Sequence, residues 1–259
     1  SGMAPMNAVH HVDAGLSQSH WRAEVAAARR RPGQRWGIPA TAAVLLLNLA
    51  GFLTLPFLLN TDVPGFFVFA IMVPSVLALT LSLAFSWYRG NGPVVDFGLP
   101  TSVSEFGGQF KTGVAWGSAA LGGGFLLALV VLSQTDLSDQ APLGGLPDVP
   151  MPWKIVLALW IWLGAPFCEE IMFRGMLWGA LERRVAPTAF SWLGNRWVIL
   201  VITAVLFALW HREGWRFVVL LWGGIAIGMA RMRSGSVTAS TTAHSVNNTL
   251  PALAVLIVA

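Results

Sequence analysis

The sequence predicts an all-α fold: a polytopic bundle of about seven membrane-spanning helices, with a polar site at membrane depth in its C-terminal half. Three observations carry that expectation. Of the 259 residues, 55% are hydrophobic and only 11% charged, whereas soluble domains carry about 25% charged residues; mean hydropathy is +0.65. Apolar runs of helical length recur from Ile38 to the C-terminus. Thirteen tryptophans stand against one tyrosine, and indoles favour the membrane–water interface.

Composition also excludes functions. The formal net charge of +4 is small, and its arginines sit between apolar runs, where the positive-inside bias of membrane proteins places them. Nucleic acid is therefore not expected as a partner, while the lipid bilayer is. Cys168 is the only cysteine, which rules out an intrachain disulfide and a cysteine-based zinc site.

The first 37 residues read as a polar, basic segment containing Arg22, Arg29, Arg30, Arg31 and Arg35. Ser1-Gly2 reads as a tag-cleavage scar. "WRAEVAAARRR" suits either a short basic helix on an anionic leaflet or an unstructured tail. Residues 38–259 read as one transmembrane domain. Charge-free runs cover Ile38–Leu59, Pro64–Tyr88 and Thr112–Ser133, each long enough for a span of about 20 residues. A fourth helix begins at Trp153, and Gly164 and Pro166 are expected to break it, since proline removes a backbone donor and clashes with the preceding turn. Shorter runs cover Trp197–Trp210 and Phe217–Ala230, a loop is expected over Met232–Ser240, and a last helix over Val237–Ala259. Gly175/Gly179 and Gly224/Gly228 have the GxxxG spacing of close helix contacts. Alternating the arginine-bearing loops with the acidic loop after the third helix places the N-terminus inside and the C-terminus outside, as in a bacterial cytoplasmic membrane.

The N-terminal half is expected to hold no polar group at depth. The C-terminal half holds four such sites: Glu169/Glu170 with Arg174, His211, His244, and Asn247-Asn248. A charge at the bilayer centre costs about 2.5–3.5 kcal/mol on insertion scales, so each needs a reason. Glu170 and Arg174 are four apart with the acid N-terminal, the favoured order for an intrahelical ion pair. Glu169 lies about 100° around the helix and is left free. Glu169 precedes Arg183 by 14 residues and His211 follows Trp197 by 14, so on antiparallel helices both lie about 21 Å from the same turn. His244 and Asn248 share a helix face. One carboxylate, two imidazoles and an amide make a hydrolytic set: a base for water and donors for an oxyanion. Singly, each has another reading. A lone glutamate also carries protons in transporters, His211 also suits an interface, and asparagines also bridge helices.

The three motifs "EEIMFR" (169–174), "FALWH" (207–211) and "HSVNN" (244–248) resemble the EExxxR, FxxxH and HxxxN motifs of the CAAX prenyl protease and bacteriocin-processing family of intramembrane endopeptidases. The resemblance covers about residues 153–252. It implies a glutamate-dependent protease in which Glu169 and His211 activate water and His244 and Asn248 stabilise the oxyanion. Glu170 and Arg174 support the site. It implies no cofactor; zinc on Glu169, His211 and His244 is the alternative, since catalytic zinc commonly uses three such ligands. The implied partner is a membrane-associated protein or peptide substrate. Two other functions share these features: a non-catalytic membrane partner or immunity protein on the same fold, and a proton-coupled transporter. The latter predicts repeated, discontinuous helices in both halves, which the first half does not offer.

Overall fold

In a computed structural model, residues 36–134, 149–185 and 191–257 are described, together with Arg22, Ala23 and Ala27. Ser1-Gly2, most of the basic segment and most of the acidic loop after the third span lie outside them. The described residues are helical and turn, with no strand, in keeping with a sequence whose apolar runs can satisfy their backbone groups in lipid only internally.

Helix α1 (Ile38–Leu58) starts on Pro39 and packs antiparallel on α2 (Pro64–Arg89), which starts on Pro64. Proline suits a helix start because its missing N–H would be unpaired there. The short α3 (Pro93–Asp96) is tied back to α2: Asp96 Oδ2 accepts from Ser86 Oγ at 2.7 Å and from the Asn91 backbone N–H at 3.0 Å.

Helix α4 runs over Val103–Ser133, nine residues earlier than its apolar run suggests. Ser102 caps it by accepting from Glu105 N–H, and Glu105 Oε2 accepts in turn from Thr101 N–H at 2.8 Å. That reciprocal cap starts the helix ahead of its charge-free run, so that Glu105 and Lys111 fall within it.

Helix α5 spans Met151–Arg183 without the expected break at Gly164 and Pro166. The register widens instead, through π-helical turns at Trp160–Gly164, Ile171–Leu177 and Leu181–Val185. Pro166 falls at the start of the α-helical turn that follows the first of these, and the Ala165 N–H reaches back to Trp160 O. A π turn gives the proline ring room that α geometry would deny it.

Helix α6 (Arg196–Trp210) is capped by Asn195 and has 15 residues. Helix α7 (Phe217–Ser234) ends on Gly235 in the left-handed conformation, φ 70°, and Ser236 caps α8 (Val237–Asn247) by accepting from Thr238 N–H at 3.0 Å. The loop expected over Met232–Ser240 is therefore two residues long. The last run also divides: α8 stops at Asn248 and α9 (Thr249–Ile257) follows.

Among the described residues, five helices are long and apolar enough to cross a membrane by length and composition: α1, α2, α4, α5 and α7, the last taken from Gly214. Helix α6 is apolar but has only 15 residues, and α8 has 11. Helix α8 lies along α4 with Ala239, Ser240 and Ala243 fully buried. Gly113 and Gly117 allow that approach: a Cβ on Gly113 would sit 2.6 Å from Ala239 O, and one on Gly117 2.7 Å from Ala243 O. Gly224 serves α7 against α6 in the same way, 3.0 Å from Ala204 Cα. Gly175 faces the Phe97 ring instead, and Gly179 the Arg183 guanidinium, so that GxxxG pair is not a helix–helix seam.

Candidate active site

Glu169 and Glu170 end an α-helical turn of α5, and the π turn begins at the next residue. Glu170 and Arg174 are both fully buried, with Arg174 Nη1 donating to Glu170 Oε1 at 2.8 Å. Arg174 is further held by Nη2 donating to Gly224 O at 2.9 Å and by lying over the Phe207 ring, 4.7 Å from its centroid. Its own carbonyl accepts from Arg231 Nε at 3.0 Å. These bonds join α5 to α7 and account for all but one of the polar groups of the buried arginine; its Nε has no partner.

His244 enters from α8, 3% exposed, with Nδ1 3.0 Å from Glu170 Oε1. Glu170 is thus shared between an arginine and an imidazole. The other ring nitrogen, Nε2, is 4.0 Å from Glu169 Oε2. The Glu169 side chain is 20% exposed, and its Oε2 has no hydrogen-bond partner. The two adjacent glutamates therefore differ in setting: Glu170 is fully buried between an arginine and an imidazole, whereas Glu169 is partly exposed.

His211 caps α6 at its C-terminus, its Nδ1 2.8 Å from Phe207 O. A carbonyl only accepts, so Nδ1 carries the proton and the neutral ring presents an unprotonated Nε2. Phe207 lies between the histidines, its centroid 4.7 Å from that of His211 and 5.4 Å from that of His244. The two imidazole centroids are therefore within about 10 Å of each other.

Glu169 and His211 line one cavity of about 170 Å³, together with Asn48, Phe52, Ser75 and Trp210. His244 and Asn248 are not among its lining residues. Asn248 donates through Nδ2 to Ile161 O at 3.0 Å, inside the first π turn, and accepts at Oδ1 from Asn247 Nδ2 at 3.1 Å. It sits at the end of α8, its N–H bonded to His244 O. Among the described residues, no three His, Cys, Asp or Glu side chains are grouped closely enough to hold a metal ion. Glu169, His211 and His244 are neighbours without forming a ligand triad.

Asn48 corrects the expectation that the N-terminal half carries no polar group at depth. It lies mid-way along α1, is 2% exposed, and accepts at Oδ1 from Trp210 Nε1 at 3.1 Å. The visible signal was a single amide in "LLLNLAG"; its partner lies 162 residues away.

Residues 151–250 match a family model, Rce1-like: Type II CAAX prenyl endopeptidase Rce1-like. That stretch contains all three motifs, and the similarity is to membrane-embedded peptidases built as polytopic helical bundles. With five apolar helices of spanning length, the chain is a multi-pass integral membrane protein. No curated protein and no solved structure matches it.

Proposed function

We propose that this protein is an intramembrane endopeptidase that hydrolyses a peptide bond of a membrane-associated protein or peptide, with Glu169 and His211 activating water. The observation that carries the reading is their position on one small cavity, each with a free acceptor: Glu169 Oε2 and, by its hydrogen bond to Phe207 O, the Nε2 of His211. Two acceptors on one small cavity orient a water through both of its protons. A proton passes from water to Glu169 as the oxygen attacks the peptide carbon. The tetrahedral intermediate then loses its C–N bond, and the proton is returned to the departing nitrogen. The products are a carboxylate and an amine.

His244 and Asn248 are assigned the developing oxyanion. Support comes from His244 Nε2, 4.0 Å from Glu169, which donates when the ring carries both protons, and from the second N–H of Asn248 Nδ2, since the bond to Ile161 O uses only one of two. Glu170 and Arg174 act as positioning residues: they fix His244 and the α5 backbone beside Glu169. The base is a carboxylate, and no zinc is assigned.

The arginine distribution supports a cytoplasmic N-terminus in a bacterial membrane. That orientation places the His211 end of α6 on the outer side, which favours a bacterial membrane protein or a sorting signal over a cytosolic prenylated substrate. The test is cleavage of internally quenched peptides, one ending in a farnesylated CAAX sequence and its unlipidated twin, by detergent-purified protein. Cleavage that Glu169→Gln abolishes is the expected result. Equal cleavage by wild type and Glu169→Gln removes the assignment.

A further inference from the structure

We infer that Asn48, contributed by α1 from outside the matched region, is the third hydrogen-bond partner of the hydrolytic water, donating to it through Nδ2. The inference rests on the hydrolytic reading of the Glu169–His211 cavity and adds a residue to it.

The orientation of the Asn48 amide follows from its partner. An indole N–H only donates, so the atom facing Trp210 Nε1 at 3.1 Å is the oxygen. The nitrogen is then the remaining group, and Nδ2 is buried with no hydrogen-bond partner in the protein. A buried amide donor left unpaired costs about 1–3 kcal/mol, a cost that the Trp210 bond to the amide oxygen does not remove. Asn48 also lines the cavity that Glu169 and His211 share.

The three residues offer complementary groups. Glu169 Oε2 is an unpartnered acceptor, His211 Nε2 is an acceptor in the neutral ring, and Asn48 Nδ2 is a donor. Buried water typically makes about three hydrogen bonds. A water giving its protons to Glu169 and His211 and taking one bond from Asn48 has one lone pair left, and that lone pair is the nucleophile. Two acceptors alone leave the oxygen free to rotate about their common axis; the Asn48 donor removes that freedom. Trp210, adjacent to His211 in sequence and bonded to Asn48, couples the donor to the end of α6 that carries His211.

The experiment measures kcat and KM separately with the two quenched peptides, for wild type, Glu169→Gln, Asn48→Asp, Asn48→Leu and Trp210→Phe, alongside melting temperature in detergent. Asn48→Asp keeps the acceptor for Trp210 and deletes the donor. Both Asn48 variants should lose about 10- to 100-fold in kcat with KM within about threefold of wild type, as for a group that acts on the water and not on substrate binding. Trp210→Phe, which frees the Asn48 amide, should lose less than either. A purely structural Asn48 would lower the melting temperature without this split. Asn48→Leu also orphans the Trp210 indole, so if it fails to fold, Asn48→Asp decides. Glu169-dependent cleavage with kcat in Asn48→Asp within threefold of wild type, or a loss that resides in KM, overturns the role of Asn48 alone. Cleavage independent of Glu169 overturns the hydrolytic reading and this inference with it.

Discussion

Neutralising Arg174 should cost more stability than neutralising both members of its ion pair. Arg174 and Glu170 are fully buried and 2.8 Å apart, so neither charge has water to fall back on. Removing one partner of a buried pair typically costs about 3–5 kcal/mol, because the other charge is left uncompensated. Arg174→Met leaves Glu170 with His244 Nδ1 at 3.0 Å and frees Gly224 O, which had accepted from Nη2 at 2.9 Å. Glu170→Gln keeps an acceptor oxygen but leaves the guanidinium un-neutralised over the Phe207 ring. At about 2–4 °C per kcal/mol for a domain near this size, the 3–5 kcal/mol cost of Arg174→Met corresponds to a fall of about 6–20 °C in melting temperature. Glu170→Gln should fall less. The double variant has no buried charge and should recover about 1–3 kcal/mol relative to the sum of the single variants. The assay is a thermal-shift double-mutant cycle in detergent. Strictly additive losses would refute the reasoning, since they would mean that the two charges do not compensate one another.

The remaining expectations concern chemistry and packing. Glu169→Ala and His211→Ala should abolish peptide cleavage while leaving membrane insertion intact; comparable turnover by either purified variant removes it as a base. His244→Ala and Asn248→Ala should each lower kcat by about 10²–10³, the usual loss of an oxyanion donor, and a larger loss in Asn247→Ala than in Asn248→Ala would transfer the role to its neighbour. Exhaustive chelation should leave full activity, whereas stoichiometric zinc with activity lost on chelation and restored by Zn²⁺ would make Glu169 a ligand. Gly117→Val drives a side chain toward Ala243 O, 2.7 Å from the Cβ position, and should destabilise by about 1–3 kcal/mol or more. Gly122→Ala on the same helix meets nothing within 4 Å and should gain up to about 1 kcal/mol; equal melting temperatures for the two variants would refute the α4–α8 seam.

Local pattern made the helical class, the first two spans and the intrahelical Glu170–Arg174 spacing legible, because each depends on residues within a few turns of one another. Hydropathy failed where polar residues are satisfied inside the protein. Glu105 and Lys111 look like loop until the Ser102 cap places them in α4. Helix α8 is rich in Ser and Thr, yet it is buried against the glycines of α4. The Met232–Ser240 segment looks like a loop, but Gly235 and Ser236 complete a left-handed stop and a new cap in two residues. Pro166 looks like a break, and π turns absorb it. Asn48 was out of reach for a different reason: one amide in an apolar run has no periodicity, and only the long-range contact with Trp210 gives it meaning.

The distribution of partners also explains why a membrane helix retains three adjacent charges. The ion pair of Arg174 with Glu170 is tied to α7 through Gly224 O and to α8 through His244, so its burial cost is offset by bonds that orient three helices around one point. Glu169 lacks such compensation and keeps an unpartnered oxygen. Glu169 thus sits beside a cavity whose wall also carries His211 on α6 and Asn48 on α1. Buried polar groups are costly when half-satisfied, and two of the unmet ones, Glu169 Oε2 and Asn48 Nδ2, belong to residues on the wall of this one cavity. Placement on that wall is what distinguishes Glu169 from the fully buried Glu170, although the two are neighbours in sequence.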